Sequence, residues 1–303
     1  MIRAQQTNTA DTATTKRRFD MNIYEIITNR ILEQLNQGVI PWQKPWTGGI
    51  DGAYNYTTGK AYSVLNQMLL KHADAYLSFK QIQALGGKVK KGAKAEIVTF
   101  WKPLPIEVEG KDGTKEKKLI PFLRYYNVFW IGDTEGIDRK EVKVTPHDPI
   151  AEAEQIVNTY LNSENHPTLI NDKTSDKAYY SPTMDQVVVP RIDQFSKIEE
   201  YYSTLFHELT HSTGHSTRLN RLTATAHFGN EEYSKEELVA EIGAATLVNM
   251  AGIETTASFN NSASYIESWS RKLRDNVKMI VEASSKADKA VKYILGQTET
   301  AEA

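Results

Sequence analysis

Residues 203–215 read STLFHELTHSTGH, and within them His207, Glu208 and His211 stand at positions i, i+1 and i+4. On a helix, positions i and i+4 lie one above the other, so two imidazoles can converge on a single cation. Glu208, next to the first of them, is then placed to take a proton from an attacking water. That is the arrangement of metal-assisted hydrolysis, most often of a peptide bond. The bland alternative is a helix surface that happens to carry two histidines. Against it, Leu205, Phe206 and Leu209 make the helix half-buried, where paired histidines need a reason.

The chain of 303 residues has no cysteine, so any metal must sit on His, Asp or Glu. The spacing HExxHxxGxxH would require histidine at 217, which is Thr217, and His215 follows Gly214 directly. The third ligand is therefore expected on the next helix, KEELVAEIGAATLVNM, where Glu236, Glu237 and Glu241 are candidates. Glu237 is taken as the ligand and Glu241 as a carboxylate that orients a histidine from behind; the reverse assignment stays open. Ser234 and Glu237 also read as a capping box, which competes for the same carboxylate. Ala240, Gly243 and Ala244 would let this helix come close to the first. A His, His, Glu set fits catalytic Zn²⁺, with Mn²⁺ or another divalent cation possible. Tyr265 is a possible oxyanion stabiliser, although a tyrosine in an amphipathic helix is more often core.

The rest of the chain divides by charge. Residues 1–143 carry 22 Lys and Arg against 15 Asp and Glu, a net +7, which leaves −9 for 144–303. Opposite signs suggest two domains with different partners. The basic part interleaves cations with aromatics: Trp42, Lys44, Trp46, Tyr56, Lys60, Tyr62, Lys88, Lys90, Lys91 and Trp101. Lysines that track a phosphate backbone and rings that stack on bases are what single-strand binding uses. The same residues also serve as small cores and solvated faces. No apolar run approaches the roughly 18–20 residues that span a membrane, and the polar N-terminus lacks a signal-peptide core. A cytoplasmic protein is expected.

Periodicity places helices near 22–37, 64–73 and 148–162, and another opened by a Ser196–Glu199 capping box and closed near Gly214. Ser78 caps a further helix that ends before Gly86. Two more are expected at 262–282 and 285–295. AEIVTFWK (95–102) and LIPFLRYYNVFWI (119–131) read as strands of a long hairpin, and TLIND, AYYSP and QVVVP as short strands. QVVVP is read as an edge on which an extended peptide could pair. The fold class is α+β with two domains. Residues 1–18 form a flexible tail, 19–131 a small α+β domain, 132–149 a linker, and 150–303 the domain with the HExxH helix.

Taken in order, PWQKPW, NYTTGKAYSVLN, GGKVKKGAKAEIVTFWK, YYNVFWI, YYSTLFHELTHSTGHSTRLNR and EELVAEIGAA resemble the ArdC-type antirestriction proteins of conjugative plasmids, over nearly the whole chain beyond the tail. Val64 departs from the small residue usual at its position. The resemblance implies a single-stranded-DNA-binding domain followed by a zincin-like metallopeptidase domain, and protection of incoming plasmid DNA from host restriction. A host restriction enzyme or another protein would be the peptidase substrate. The alternative is a non-catalytic protein that occludes DNA and holds a structural metal.

Overall fold

The computed structural model describes residues 22–43, 52–109, 115–139, 148–222, 231–253 and 263–297. The expected tail at 1–18 and residues 140–147 of the expected linker lie outside these residues. Mixed helices and sheets make up the fold.

Helix α1 (Ile23–Asn36) starts at Asn22, whose side chain accepts from the Glu25 N–H while the Glu25 carboxylate accepts from the Asn22 N–H. Gly38, at φ +77°, turns the chain away from its end. Short elements follow: β1 (Tyr54–Asn55), α2 (Val64–Leu69), β2 (Ala75–Leu77), α3 (Phe79–Ala84) and β3 (Lys88–Val89). Ser78 caps α3, as the sequence suggests, and Gln81 completes a capping box with it. Strands β4 (Glu96–Glu109) and β5 (Lys115–Trp130) then form a ribbon of 14 antiparallel pairs. The four-stranded sheet has the order β1-β2-β5-β4, but β2 meets only Phe129 and Trp130 of β5. Most of the ribbon is therefore two strands wide. Strand β6 (Thr134–Glu135) pairs with β3.

Strand β4 runs through Pro103 and Pro105, past residue 102 where the sequence reading ends it, and β5 begins at Lys115 rather than at 119. Asn66 on α2 shows why. Its side chain accepts from the Thr99 N–H at 2.7 Å and donates to the Thr99 carbonyl at 2.8 Å, so both groups point away from β5. Backbone direction alternates along a strand, so residues 103 and 105 also face outward, as does Pro121 opposite Pro103. A proline loses no ladder hydrogen bond there.

The second half contains α4 (Pro149–Leu161), capped by Asp148, and a three-stranded sheet of β7 (Thr168–Ile170), β8 (Tyr179–Ser181) and β9 (Gln186–Val188). The order is β7-β9-β8, parallel then antiparallel. QVVVP thus supplies the central strand, and the expectation of an edge is corrected: β9 has a neighbour on each side, Val187 is fully buried, and β8 is an edge. Helices α5 (Ile198–Ser212), α6 (Glu231–Met250), α7 (Ala263–Asp275) and α8 (Met279–Ile294) complete the fold.

Two expected caps are absent. Helix α5 starts after Lys197 with no side-chain cap, so Ser196 plays no such part. Ser234 lies inside α6, which already runs from Glu231, and that leaves Glu237 free of any capping role. The break between the last two helices falls at 276–278, earlier than expected.

Helix α6 is buried on two sides. Leu238, Val239 and Ile242 join a core with Ile27, Ile31, Trp42, Leu65 and Trp269. Ala244, Leu247 and Val248 join another with Tyr160, Val187, Leu205, Phe206 and Leu209. The first of these cores crosses the expected 132–149 division, because α1, Trp42 and α2 pack directly on α6, α7 and α8. Trp42 meets Trp269 edge to face at 6.1 Å.

Gly243 sets the approach of α6 to α5: a Cβ there would lie 2.6 Å from Thr210 Cγ2 and 2.8 Å from its Oγ1. Gly243→Ala is expected to cost about 1–3 kcal/mol through overpacking, read as a lower denaturation midpoint with an unchanged slope on urea unfolding.

Candidate metal centre

Helix α5 packs through Tyr202, Leu205, Phe206 and Leu209, and turns His207 and His211 toward α6. Their Nε2 atoms are 3.1 Å apart. Glu237 comes from α6, with Oε2 3.7 Å from His207 Nε2 and Oε1 3.4 Å from His211 Nε2. One donor atom from each residue lies within 4.8 Å of the other two, and this is the one His/Asp/Glu group of that kind among the described residues.

His211 Nδ1 faces Glu236 Oε1 at 3.2 Å. Once a metal has displaced the proton of Nε2, with the other proton on Nδ1 for that carboxylate, His211 presents an Nε2 lone pair to the same point as His207 and Glu237. Three lone-pair donors aimed at one point repel unless a cation lies among them. The donor set thus fits a divalent ion with N and O ligands.

Electrostatics agree with that reading. Burial opposes a charge on His211, yet Glu236 and Glu237 outweigh it and push the imidazole up to about 10. Burial would likewise raise Glu237, but His207 and His211 hold it well below the usual carboxylate range. Glu236 is also held low against its own burial, by His211 and by Arg221. The Arg221 guanidinium donates to Glu236 Oε2 at 3.0 Å through Nε and to Oε1 at 2.9 Å through Nη2, and to Thr213 Oγ1 at 2.6 Å through Nη1.

Glu208 is 8% exposed. Burial raises its carboxyl, while the two histidines and the Tyr180 backbone N–H oppose the shift. Tyr180 lies on β8, which Arg218 ties to the end of α5: its Nη1 donates to Asp185 at 2.9 Å and its Nε to the Ser212 carbonyl at 2.8 Å. His215 stays outside the cluster, with its Nδ1 2.9 Å from the Thr217 hydroxyl. Gly214 has no positive φ; a Cβ there would meet Leu222 Cγ at 2.7 Å, so close packing explains it.

Glu241 is raised by burial, and it sits near His207 with a hydrogen bond to Tyr265. Tyr265 also reaches Trp42 and Trp269. Tyr233, which the sequence reading missed, hydrogen-bonds Glu237 and lies near Glu208; burial and these two carboxylates push its phenol up to about 12. Glu236 was a candidate that the sequence reading passed over for Glu237 and Glu241, and only the fold shows that it meets His211 Nδ1.

The residues expected to bind DNA are scattered. Trp42 is 1% exposed in the core, which corrects its reading as a stacking platform. Lys44 and Trp46 lie outside the described residues. Lys60, Lys88, Lys90 and Lys91 are exposed, although Lys90 Nζ donates to the Gly132 carbonyl at 2.7 Å. Tyr56 and Tyr62 are half-buried, and the Tyr56 hydroxyl donates to the Asp138 carbonyl. Trp101 is exposed on the ribbon.

Residues 21–129 match the N-terminal domain of anti-restriction factor ArdC, and residues 160–286 match a zincin-like metallopeptidase domain. The crystal structure of Mn(II)-bound antirestriction protein ArdC from plasmid R388 aligns with 93% of this chain and 100% of its own, at 29% identity and a TM-score of 0.69. The chain is thus ArdC-like, with an ArdC N-terminal domain followed by a zincin-like domain. A DNA primase TraC of Escherichia coli is 32% identical over 293 residues, 90% of this chain but 27% of that protein. A second E. coli TraC is likewise 32% identical, over 90% of this chain and 20% of its own length. The chain thus spans about a quarter of the length of these curated relatives. Protein y4eC of Sinorhizobium fredii is 28% identical over 93% of this chain and 94% of its own. The zincin-like domain implies a divalent metal, and no helix among the described residues is long and apolar enough to cross a membrane.

Because His211 is held protonated by its carboxylates, a metal must displace that proton. Calorimetric titration at pH 7 in buffers of different ionisation enthalpy should show about one proton released per metal bound. Glu236→Gln should weaken metal affinity by roughly 10- to 100-fold.

Proposed function

We propose that this ArdC-type chain binds single-stranded DNA and carries a metal-dependent peptidase site, and that it protects incoming conjugative plasmid DNA from host restriction in the cytoplasm. The convergence of His207, His211 and Glu237 beside Glu208 carries the reading. In it the three residues hold Zn²⁺ or Mn²⁺, which when bound supplies a Lewis acid for a carbonyl oxygen. Glu236 fixes the tautomer and direction of His211, and Arg221 balances its charge. Glu241 supports His207 from behind.

Glu208 is the general base. Its place in a buried pocket raises its carboxyl, and a base with a raised pKa both accepts and returns a proton near neutral pH. The Tyr180 N–H holds it in position. Strand β8 has an outer edge in this sheet, on which an extended peptide can add as a further strand. Tyr233 is the nearer candidate to donate to a developing oxyanion, because it hydrogen-bonds the ligand Glu237 and lies near Glu208, whereas Tyr265 is engaged by Glu241 and Trp42. A host restriction enzyme bound to the same DNA is the proposed protein substrate.

Glu208→Ala tests this directly. The variant should keep metal and DNA binding, lose hydrolysis of a peptide library by at least about 100-fold, and lose protection in a conjugation assay into a restricting host. Full protection by Glu208→Ala would sink the peptidase role and favour an occluding protein with a structural metal.

A further inference from the structure

The β4–β5 ribbon has two unlike faces. Residues directly opposite one another share a face, and the face alternates along each strand. One face carries Ile97, Thr99 and Leu123, which are 4%, 7% and 4% exposed, with Ile97 and Leu123 in the core beneath α1 and α2. The other carries, in register, Tyr126 opposite Val98, Arg124 opposite Phe100, Phe122 opposite Lys102, and Ile120 opposite Leu104. Three rings stand out here, Phe100 at 38% exposed, Phe122 at 44% and Tyr126 at 39%, whereas the first face exposes Trp101 and Tyr125 beside its buried residues.

These rings are not needed for the core, because the opposite face already packs the ribbon onto the helices. They form a continuous stripe. Phe100 meets Tyr126 edge to face at 5.7 Å, and the Arg124 guanidinium lies 5.5 Å from the centre of the Phe122 ring. Tyr62 stands beside Tyr126 at its inner end. From Val98 to Leu104 and from Ile120 to Tyr126 the face holds two cations and no carboxylate.

We propose that this stripe is the surface on which unpaired bases of a single-stranded nucleic acid stack, with Arg124 and Lys102 meeting its phosphates. Rings with free π-faces accept any base, and cations spaced among them follow the backbone, so sequence tolerance and salt dependence come together. In a duplex the base faces already cover one another, so single strands are preferred. The proposal rests on the DNA-binding reading of the N-terminal half, and it moves the platform from Trp42, which is core, to Phe100, Phe122 and Tyr126.

The test uses the full chain, because the N-terminal helices share a core with α6. Fluorescence anisotropy of a labelled oligothymidylate is followed across a salt series for the unaltered protein, Phe122→Ala, Phe122→Leu and Arg124→Gln. Phe122→Ala should weaken binding about 10-fold. Phe122→Leu keeps apolar bulk and guards against misfolding, yet should lose nearly as much because the flat ring is gone. Arg124→Gln should lower the log–log salt slope by roughly 0.7. If the unaltered protein binds and none of the variants differs, the stripe is refuted while the DNA-binding reading survives. If the unaltered protein binds no oligonucleotide, that reading fails and takes the stripe with it. A change in mass by light scattering with unchanged DNA binding would make the ribbon a self-association arm and overturn the proposal.

Discussion

Helix α6 is packed on two opposite flanks, and its position fixes the rest of the metal centre. Rotation about its axis would withdraw Leu238, Val239 and Ile242 from one core, or Ala244, Leu247 and Val248 from the other. Burial of a single Leu or Val contributes about 1.5–3 kcal/mol, so turning the helix by even one residue costs far more than a ligand contact returns. The missing side chain at Gly243 then lets α6 lie against Thr210 of α5. With rotation and separation both fixed, Glu237 meets the histidine pair without help from a cation. The pocket is organised by apolar packing first and by electrostatics second.

The same helix joins the two halves of the chain. Trp42 and α1 pack on α6, α7 and α8, so the N-terminal segment belongs physically to the core behind the metal centre. Thr28 reinforces this by donating to the Val277 carbonyl at 2.8 Å. A flexible linker would let one domain search a volume around the other. A shared core instead holds the ribbon and the β8 edge in one relative placement. On the proposed function, a protein substrate would reach the metal centre in a geometry set by the DNA it shares, which would favour a partner bound close by on the same strand.

Much of this was legible in the sequence where periodicity and local chemistry agree. The His207–His211 helix, α1, α4 and the three short strands fall where the spacing puts them, and Ser78 does cap α3, in a box that Gln81 completes. Failures came where tertiary packing overrides a local signal. Ser196–Glu199 and Ser234–Glu237 satisfy the same box pattern, but the helices begin elsewhere, at Ile198 and Glu231. Pro103 reads as the end of a strand, since the phase of a ladder is invisible until Asn66 is seen to take the outward groups of Thr99. Trp42 read as a surface ring because its partner, Trp269, lies more than two hundred residues away. Glu236, Glu237 and Glu241 are all acidic residues of one helix, and the choice of Glu237 as ligand did not reveal that Glu236 meets His211 Nδ1, which depends on how two helices pack.

The charges around the pocket show why those three carboxylates have different environments. Arg221 holds Glu236 ionised and cancels its charge, so Glu236 can polarise His211 without adding a net negative charge. Burial drives Glu208 and Glu241 toward their neutral forms. Glu237 alone remains a low-pKa anion facing the two imidazoles. A divalent ion among these donors would keep most of its positive charge, because one carboxylate and two neutral rings offset only part of it. A strongly positive centre beside a carboxyl of raised pKa is the combination that hydrolysis requires: the first draws electrons from a carbonyl, and the second moves a proton at neutral pH. A purely structural site gains nothing from a buried Glu208, whose desolvation costs stability wherever its charge is not used.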